Sequence, residues 1–131
     1  MITSSASVMP ITYRIDRERG LIFTVCAGDV TLPQVRAHFD ALQSDPDCPR
    51  RPSVLLDLTR IASLPEIPQV RAAAERVGQV EEIVFEGCAI LADRDPVVAI
   101  ARQFEALARG HFAALRIFRQ RKEAEEWLDG F

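Results

Sequence analysis

Seven side chains able to do chemistry fall where the chain turns from an apolar run into a helical pattern: Asp29, then Thr59, Arg60, Ser63 and Glu66, then Asp93 and Arg94. Thr31 and Asp95 stand beside them. Oxygen ligands such as Asp29, Glu66, Asp93 and Asp95 would suit a hard divalent cation if a fold gathered them. A solvated acidic rim is the commoner outcome, and no metal is assigned. A phosphate dianion fits poorly, because it would meet four carboxylates against two arginines, and neither GxGxxG nor GxxxxGK[ST] occurs. Structural roles account for part of the group. Thr31 and Asp95 have the position of helix N-caps, and Ser63 with Glu66 has the spacing of a capping box, although Pro68 would interrupt a helix begun at Ser63. A candidate rim for a ligand or partner remains: Asp29, Thr59, Arg60, Ser63, Glu66, Asp93 and Arg94.

The nucleophiles offer less. Cys48 lies in "SDPDCPRRP", where Arg50 and Arg51 are expected to lower its thiol pKa. That loop precedes a strand, so it belongs at the end of a parallel sheet away from the rim. Cys26 and Cys88 sit inside apolar runs, where a small buried hydrophobe is the default. His38 and His111 have no HxxxH or HxxE partner that would suggest zinc, and both are read as non-ligands. No nucleophile stands beside a base in the sequence, so no catalytic residue and no cofactor is assigned.

Hydrophobic periodicity shows the elements that must position the rim. "ITYRID" (11–16) alternates apolar and polar residues, "LIFTVCA" (21–27) is almost wholly apolar, and the short loop with Gly20 joins them as a hairpin. "TLPQVRAHFDALQSDP" opens with Thr31, Pro33 and Gln34 as helix-start signals and puts Leu32, Val35, Phe39 and Leu42 on one face. "SVLLDL" reads as a buried strand. "PQVRAAAERVG" reads as a second helix starting near Pro68, with Ile67, Val70, Ala74 and Val77 inward and Gly78 as its stop. Strand "GCAILAD" then leads to a helix capped by Asp95 that carries a stripe of Val97, Ile100, Phe104 and Leu107. "ALRIF" and "QRKEAEEWLDG" give the last strand and helix, with Ala124, Trp127 and Leu128 inward. "VEEIVFEG" (80–87) fits neither period; its Ile83, Val84 and Phe85 are expected to plug the core or, as the alternative, to form an exposed apolar patch of the kind that marks an interface. The predicted architecture is a single α/β domain over 11–131, ββαβαβαβα, with a mixed, mostly parallel sheet flanked by helices, preceded by a flexible tail over 1–10. Ligands in such sheets bind beyond the carboxyl ends of the strands, where the rim turns collect.

Composition narrows the classes. With 131 residues, 48% hydrophobic, 27% charged and a net charge of −3, the chain reads as one ordinary globular domain. It has no general electrostatic pull on nucleic acid or anionic membrane, and no apolar run near the roughly 20 residues of a membrane span. Its start lacks a basic segment followed by an apolar one, and its three cysteines show no CxxC spacing, so a reducing cytoplasmic location is expected.

The stretches "YRIDRERGLIFTVCAGDVTLPQVRAHFDAL", "VLLDLTRIASL", "CAILADRDPVVAIARQFEAL" and "LRIFRQRKEAEEWL" resemble the SpoIIAA-like fold of STAS domains, the anti-sigma factor antagonist group. More closely, the chain looks like a bacterial family of small stand-alone SpoIIAA-like proteins with no assigned activity. In the antagonist group a strand like "DLSGVSFIDSSG" carries the phosphorylated serine. Laid on that pattern from Asp57, this chain has Pro65, Glu66, Ile67 and Pro68, with Ile67 at the phosphoacceptor position. The resemblance thus implies a non-enzymatic cytoplasmic binding or regulatory domain, a homodimer with a protein partner, lacking the phosphoserine switch. The alternative is a carrier of a small, lipid-like apolar ligand, because three apolar helix faces are available to line a pocket. A metal-dependent enzyme using the acidic rim ranks last.

Overall fold

Strands buried on both faces of a parallel sheet are near-continuous apolar runs, and the runs around Phe23, Leu55 and Ala89 become neighbouring strands at its centre. The computed structural model describes residues 10–131, so the tail expected over 1–10 lies, apart from Pro10, outside the described residues. β1 (Ile11–Asp16) and β2 (Leu21–Gly28) form an antiparallel hairpin. Its turn ends at Gly20, whose φ of 62° is the left-handed conformation that only glycine adopts without strain. The chain continues through α1 (Leu32–Ser44), β3 (Ser53–Ile61), α2 (Ile67–Gly78), β4 (Gly87–Leu91), α3 (Asp95–Ala108), a 3₁₀ turn over Arg109–His111, β5 (Ala114–Phe118) and α4 (Arg121–Leu128). The strand order is β1-β2-β3-β4-β5, with every pair after the hairpin parallel. This is the mixed α/β architecture expected from the sequence.

A linear strand order has a strong consequence. Each crossover steps the same way across the sheet, so right-handed connections put α1, α2 and α3 on one face and leave the other to α4. Two cores result. On the three-helix face Cys88, Ile90, Val97, Val98 and Ala101 are buried together, with Val54, Leu56 and Leu58 packed partly against them. On the other face Leu21, Phe23, Leu55 and Ala89 are sealed by Ala124 and Leu128 of α4, with Phe118 and Trp127 alongside. Register explains the division. Thr24, Leu56, Ile90 and Ile117 form one cross-strand row, and Phe23, Leu55 and Ala89 form the next on the opposite face.

Several local expectations are corrected. Helix α2 begins at Ile67, with Glu66 as its N-cap, and the Glu66 N–H donates to Gln69 Oε1 at 2.8 Å. Ser63 therefore forms no capping box with Glu66 and stays in the exposed turn. Arg94, not Asp95, holds the N-cap position of α3, and Asp95 falls in the first turn, where its charge suits the helix dipole. Ile67 is 40% exposed at the first position of α2, whose buried residues are Val70, Ala74 and Val77, and Leu107 is 37% exposed because the inner stripe of α3 runs through Val97, Ala101 and Ala108. Of the apolar residues of "VEEIVFEG" only Phe85 is fully buried, and Ile83 is partly so. Phe85 is buried against Phe39 and Phe112, at ring-centroid distances of 6.4 and 5.4 Å, while Val84 is 54% exposed. No helix among the described residues is long and apolar enough to cross a membrane.

On the α4 face a buried carboxylate ties β3 to the last helix. Asp57 Oδ1 accepts both the N–H and the hydroxyl of Thr59, at 2.8 and 2.7 Å, and Oδ2 faces Arg121 Nη2 at 3.2 Å. Removing the acceptor strands a backbone N–H, so Asp57→Ala should lower stability by about 2 kcal/mol in urea unfolding. Asp57→Asn keeps an oxygen for Thr59 and should lose less than half as much. Equal losses in the two variants would mean that the ion pair with Arg121, not the turn, carries the effect.

Candidate functional site

Small side chains on α2 and a row of medium ones on β3 leave space between the sheet and its three-helix layer. The facing residues of α2 are Val70, Ala73 and Val77, and those of β3 are Val54, Leu56 and Leu58. None is large enough to bridge the gap. The result is an apolar cleft of about 170 Å³, walled on the α1 side by Val35, His38 and Phe39. Phe85 and Phe112 close it toward the amino ends of the strands. At the other end Thr31, Pro65 and Gln69 line it, and both Thr31 and Gln69 are exposed, which places the mouth between the starts of α1 and α2. That is the carboxyl end of the parallel strands, the place expected for a site. Solvent reaches inward. Val54, Leu56 and Leu58 lie in the central strand under three helices and are still only partly buried, whereas Ser53, Leu55 and Asp57 on the α4 face are fully buried.

The predicted rim surrounds this mouth without lining it. Asp29, Arg60, Ser63, Glu66, Asp93 and Arg94 are all exposed, and Thr59 is held by Asp57. Local partners occupy several of the rest. The Arg94 guanidinium donates to the Ile61 carbonyl, Arg119 pairs with Asp95 at 2.6 Å, and Glu66 caps α2. The acidic residues stay apart. Among the described residues no three His, Cys, Asp or Glu side chains come together as metal ligands. Cys48 is also corrected: Arg51 pairs with Glu86 at 2.7 Å, and burial, with the Asp45 charge second, pushes the Cys48 thiol up rather than down. Reactivity is not favoured there.

Besides Thr31 and Gln69 at the mouth, the polar side chains lining the cleft are Thr24, which no motif singled out, and His38, expected to be a non-ligand. Thr24 is 3% exposed, and its hydroxyl has no hydrogen-bond partner among the described residues, an arrangement that costs about 1–3 kcal/mol for a buried donor. It directly opposes Tyr13 across the hairpin, but the Tyr13 hydroxyl is committed to Asp45 Oδ2 at 2.8 Å. His38 stands edge-on to Tyr13 and Phe39, with ring centroids 5.4 and 5.0 Å away, and its ring makes no hydrogen bond among the described residues. One signal for Thr24 was present: it is the single hydroxyl in the otherwise apolar run "LIFTVCA". Cys26 and Cys88 also line the cleft, and burial raises both thiols to about 12, so they are protonated at neutral pH.

Burial lowers the His38 pKa to about 4, against an ordinary 6.5. The folded state therefore binds fewer protons than the unfolded chain between these values, and stability falls as pH drops through that window. Relative to a His38→Phe variant, the native protein should lose on the order of 3 kcal/mol between about pH 7 and pH 4. Paired urea titrations across that range test this, and a parallel decline in both proteins would show that His38 is hydrated rather than desolvated. Neither a family model nor a curated protein matches this chain, so the cleft and the fold are what a functional reading rests on.

Proposed function

We propose that this protein is a non-enzymatic binding domain that holds a small apolar ligand in the cleft between β3 and helices α1 and α2. The single observation that carries this is the opened central strand: an apolar space of about 170 Å³ reaching from Thr31 and Gln69 at the surface to Phe85. A cavity of this size forgoes roughly 4 kcal/mol of packing at about 24 cal/mol per Å³. That is a large share of the 5–15 kcal/mol by which domains are stable, and methyl-sized substitutions at Ala73 or Val35 would recover part of it. An engineered apolar cavity of about 150 Å³ takes up benzene, so this one suits one substituted ring or a branched chain of similar bulk. The exposed Leu64 and Ile67 flank Pro65 at the mouth and extend the apolar surface outward.

This reading favours the carrier alternative over binding through the polar rim, none of whose residues lines the cleft and of which Thr59, Glu66 and Arg94 are engaged within their own loops. It is compatible with the SpoIIAA-like resemblance, which we retain as a proposal: Ile67, at the position of the phosphoacceptor, offers no hydroxyl, so function by occupancy replaces function by phosphorylation.

Native mass spectrometry of the protein purified from its own cells should show a mass in excess of the chain that departs on denaturation. Toluene should also raise the melting temperature saturably, by several degrees near saturation, and Val35→Phe, which fills the cleft, should abolish that rise while leaving a folded protein. No retained mass and no shift with toluene would sink the proposal.

A further inference from the structure

We propose that the ligand of this cleft is a neutral molecule of phenol type, an apolar ring bearing one hydroxyl, and that the Thr24 hydroxyl hydrogen-bonds that group. The inference rests on the binding function proposed above and adds the chemistry of what is bound. Three observations carry it. Thr24 lines the cleft, and its Oγ1 is fully buried and has no partner among the described residues. Its neighbours in the cross-strand row are Tyr13, Leu56 and Ile90; the first has its hydroxyl on Asp45 and the others have nothing to offer. The fold itself has no use for this hydroxyl, since valine is isosteric, equally β-branched and better suited to an apolar wall. A buried polar group without a partner calls for an explanation, and a ligand group that pairs with it supplies one.

Charge is excluded by what lines the walls. Thr24, Thr31, His38 and Gln69 are the polar side chains on the cleft, and no Asp, Glu, Lys or Arg is among the lining residues. A carboxylate or ammonium ligand would be buried unpaired, which is far costlier than burying a hydroxyl that is hydrogen-bonded. The ring follows from size and from the aromatic floor, where Phe39, Phe85 and Phe112 present faces and edges to whatever enters.

Phenol and toluene, which differ by hydroxyl against methyl, are the probes. Their dissociation constants are measured by amide chemical-shift titration on the native protein, Thr24→Val and Thr24→Ser. Thr24→Val should weaken phenol about tenfold and leave toluene unchanged or tighter, shifting the phenol-to-toluene ratio by about tenfold or more. Thr24→Ser should keep the native ratio, and Thr24→Val should melt no lower than the native protein, because it removes an unpaired hydroxyl. A ratio unmoved by Thr24→Val, with both probes still bound, would overturn the role of Thr24 and leave the cleft's binding function standing. If neither probe binds the native protein, the cleft reading falls and this inference falls with it.

Discussion

The linear order of the strands is the constraint from which the rest of this structure follows. Because β2, β3, β4 and β5 are laid down side by side in sequence order, no crossover doubles back, and handedness sends three successive helices to the same face. One face is thus crowded with helices that must share it, and the other is left to α4 alone. The outcome is the reverse of what helix number suggests. α4 lies close on β3, β4 and β5, with Ala124 fully buried beneath it, whereas α2 packs chiefly against α1 and α3 and spans the sheet at a distance.

Packing on the two faces of β3 shows what this does to the interior. Leu55 and Asp57 point toward α4 and are buried; Val54, Leu56 and Leu58 point toward the helical layer and are reached by solvent. Alanines are good helix formers, so "RAAAERV" makes a stable α2, but its short side chains cannot reach the sheet. The large residues are elsewhere. Phe39, Phe85 and Phe112 gather toward the amino ends of the strands and close that end, while the carboxyl end is framed by Thr31, Pro65 and Gln69. A cleft closed at one end and open at the other is the product of where bulk was placed.

Polar groups divide along the same line. Those at the rim are mostly exposed, and three of them are engaged within their own loops: Glu66 at the start of α2, Thr59 on Asp57, Arg94 on the Ile61 carbonyl. Such groups are solvated and hydrogen-bonded, and exposed ion pairs like Arg119–Asp95 contribute little. Inside, Thr24 and His38 have no side-chain hydrogen-bond partner among the described residues, and the low-dielectric surroundings that push the imidazole pKa down also make any new hydrogen bond there matter more.

By itself the sequence determined the element order, the mixed sheet and the helix starts to within a residue or two, because hydrophobic period, capping residues and glycines act locally. Thr31 with Gln34, Pro96 near the start of α3 and Gly20 in the hairpin are legible for that reason. It also indicated the carboxyl end of the parallel strands, where the cleft opens, since that follows from topology. The tertiary structure alone decided which residues line the cleft. Ser63 and Glu66 had the spacing of a capping box three residues before the real one, and Asp95 that of a cap one residue after the real one; such shifts change what a side chain touches. Likewise Ile67 and Leu107 follow the helical period but point outward, because the inner stripe is set by where each helix meets the sheet. A cleft is a sum of volumes brought from β2, β3, α1 and α2, and nothing in the order of residues along one segment records the space left over when distant segments meet.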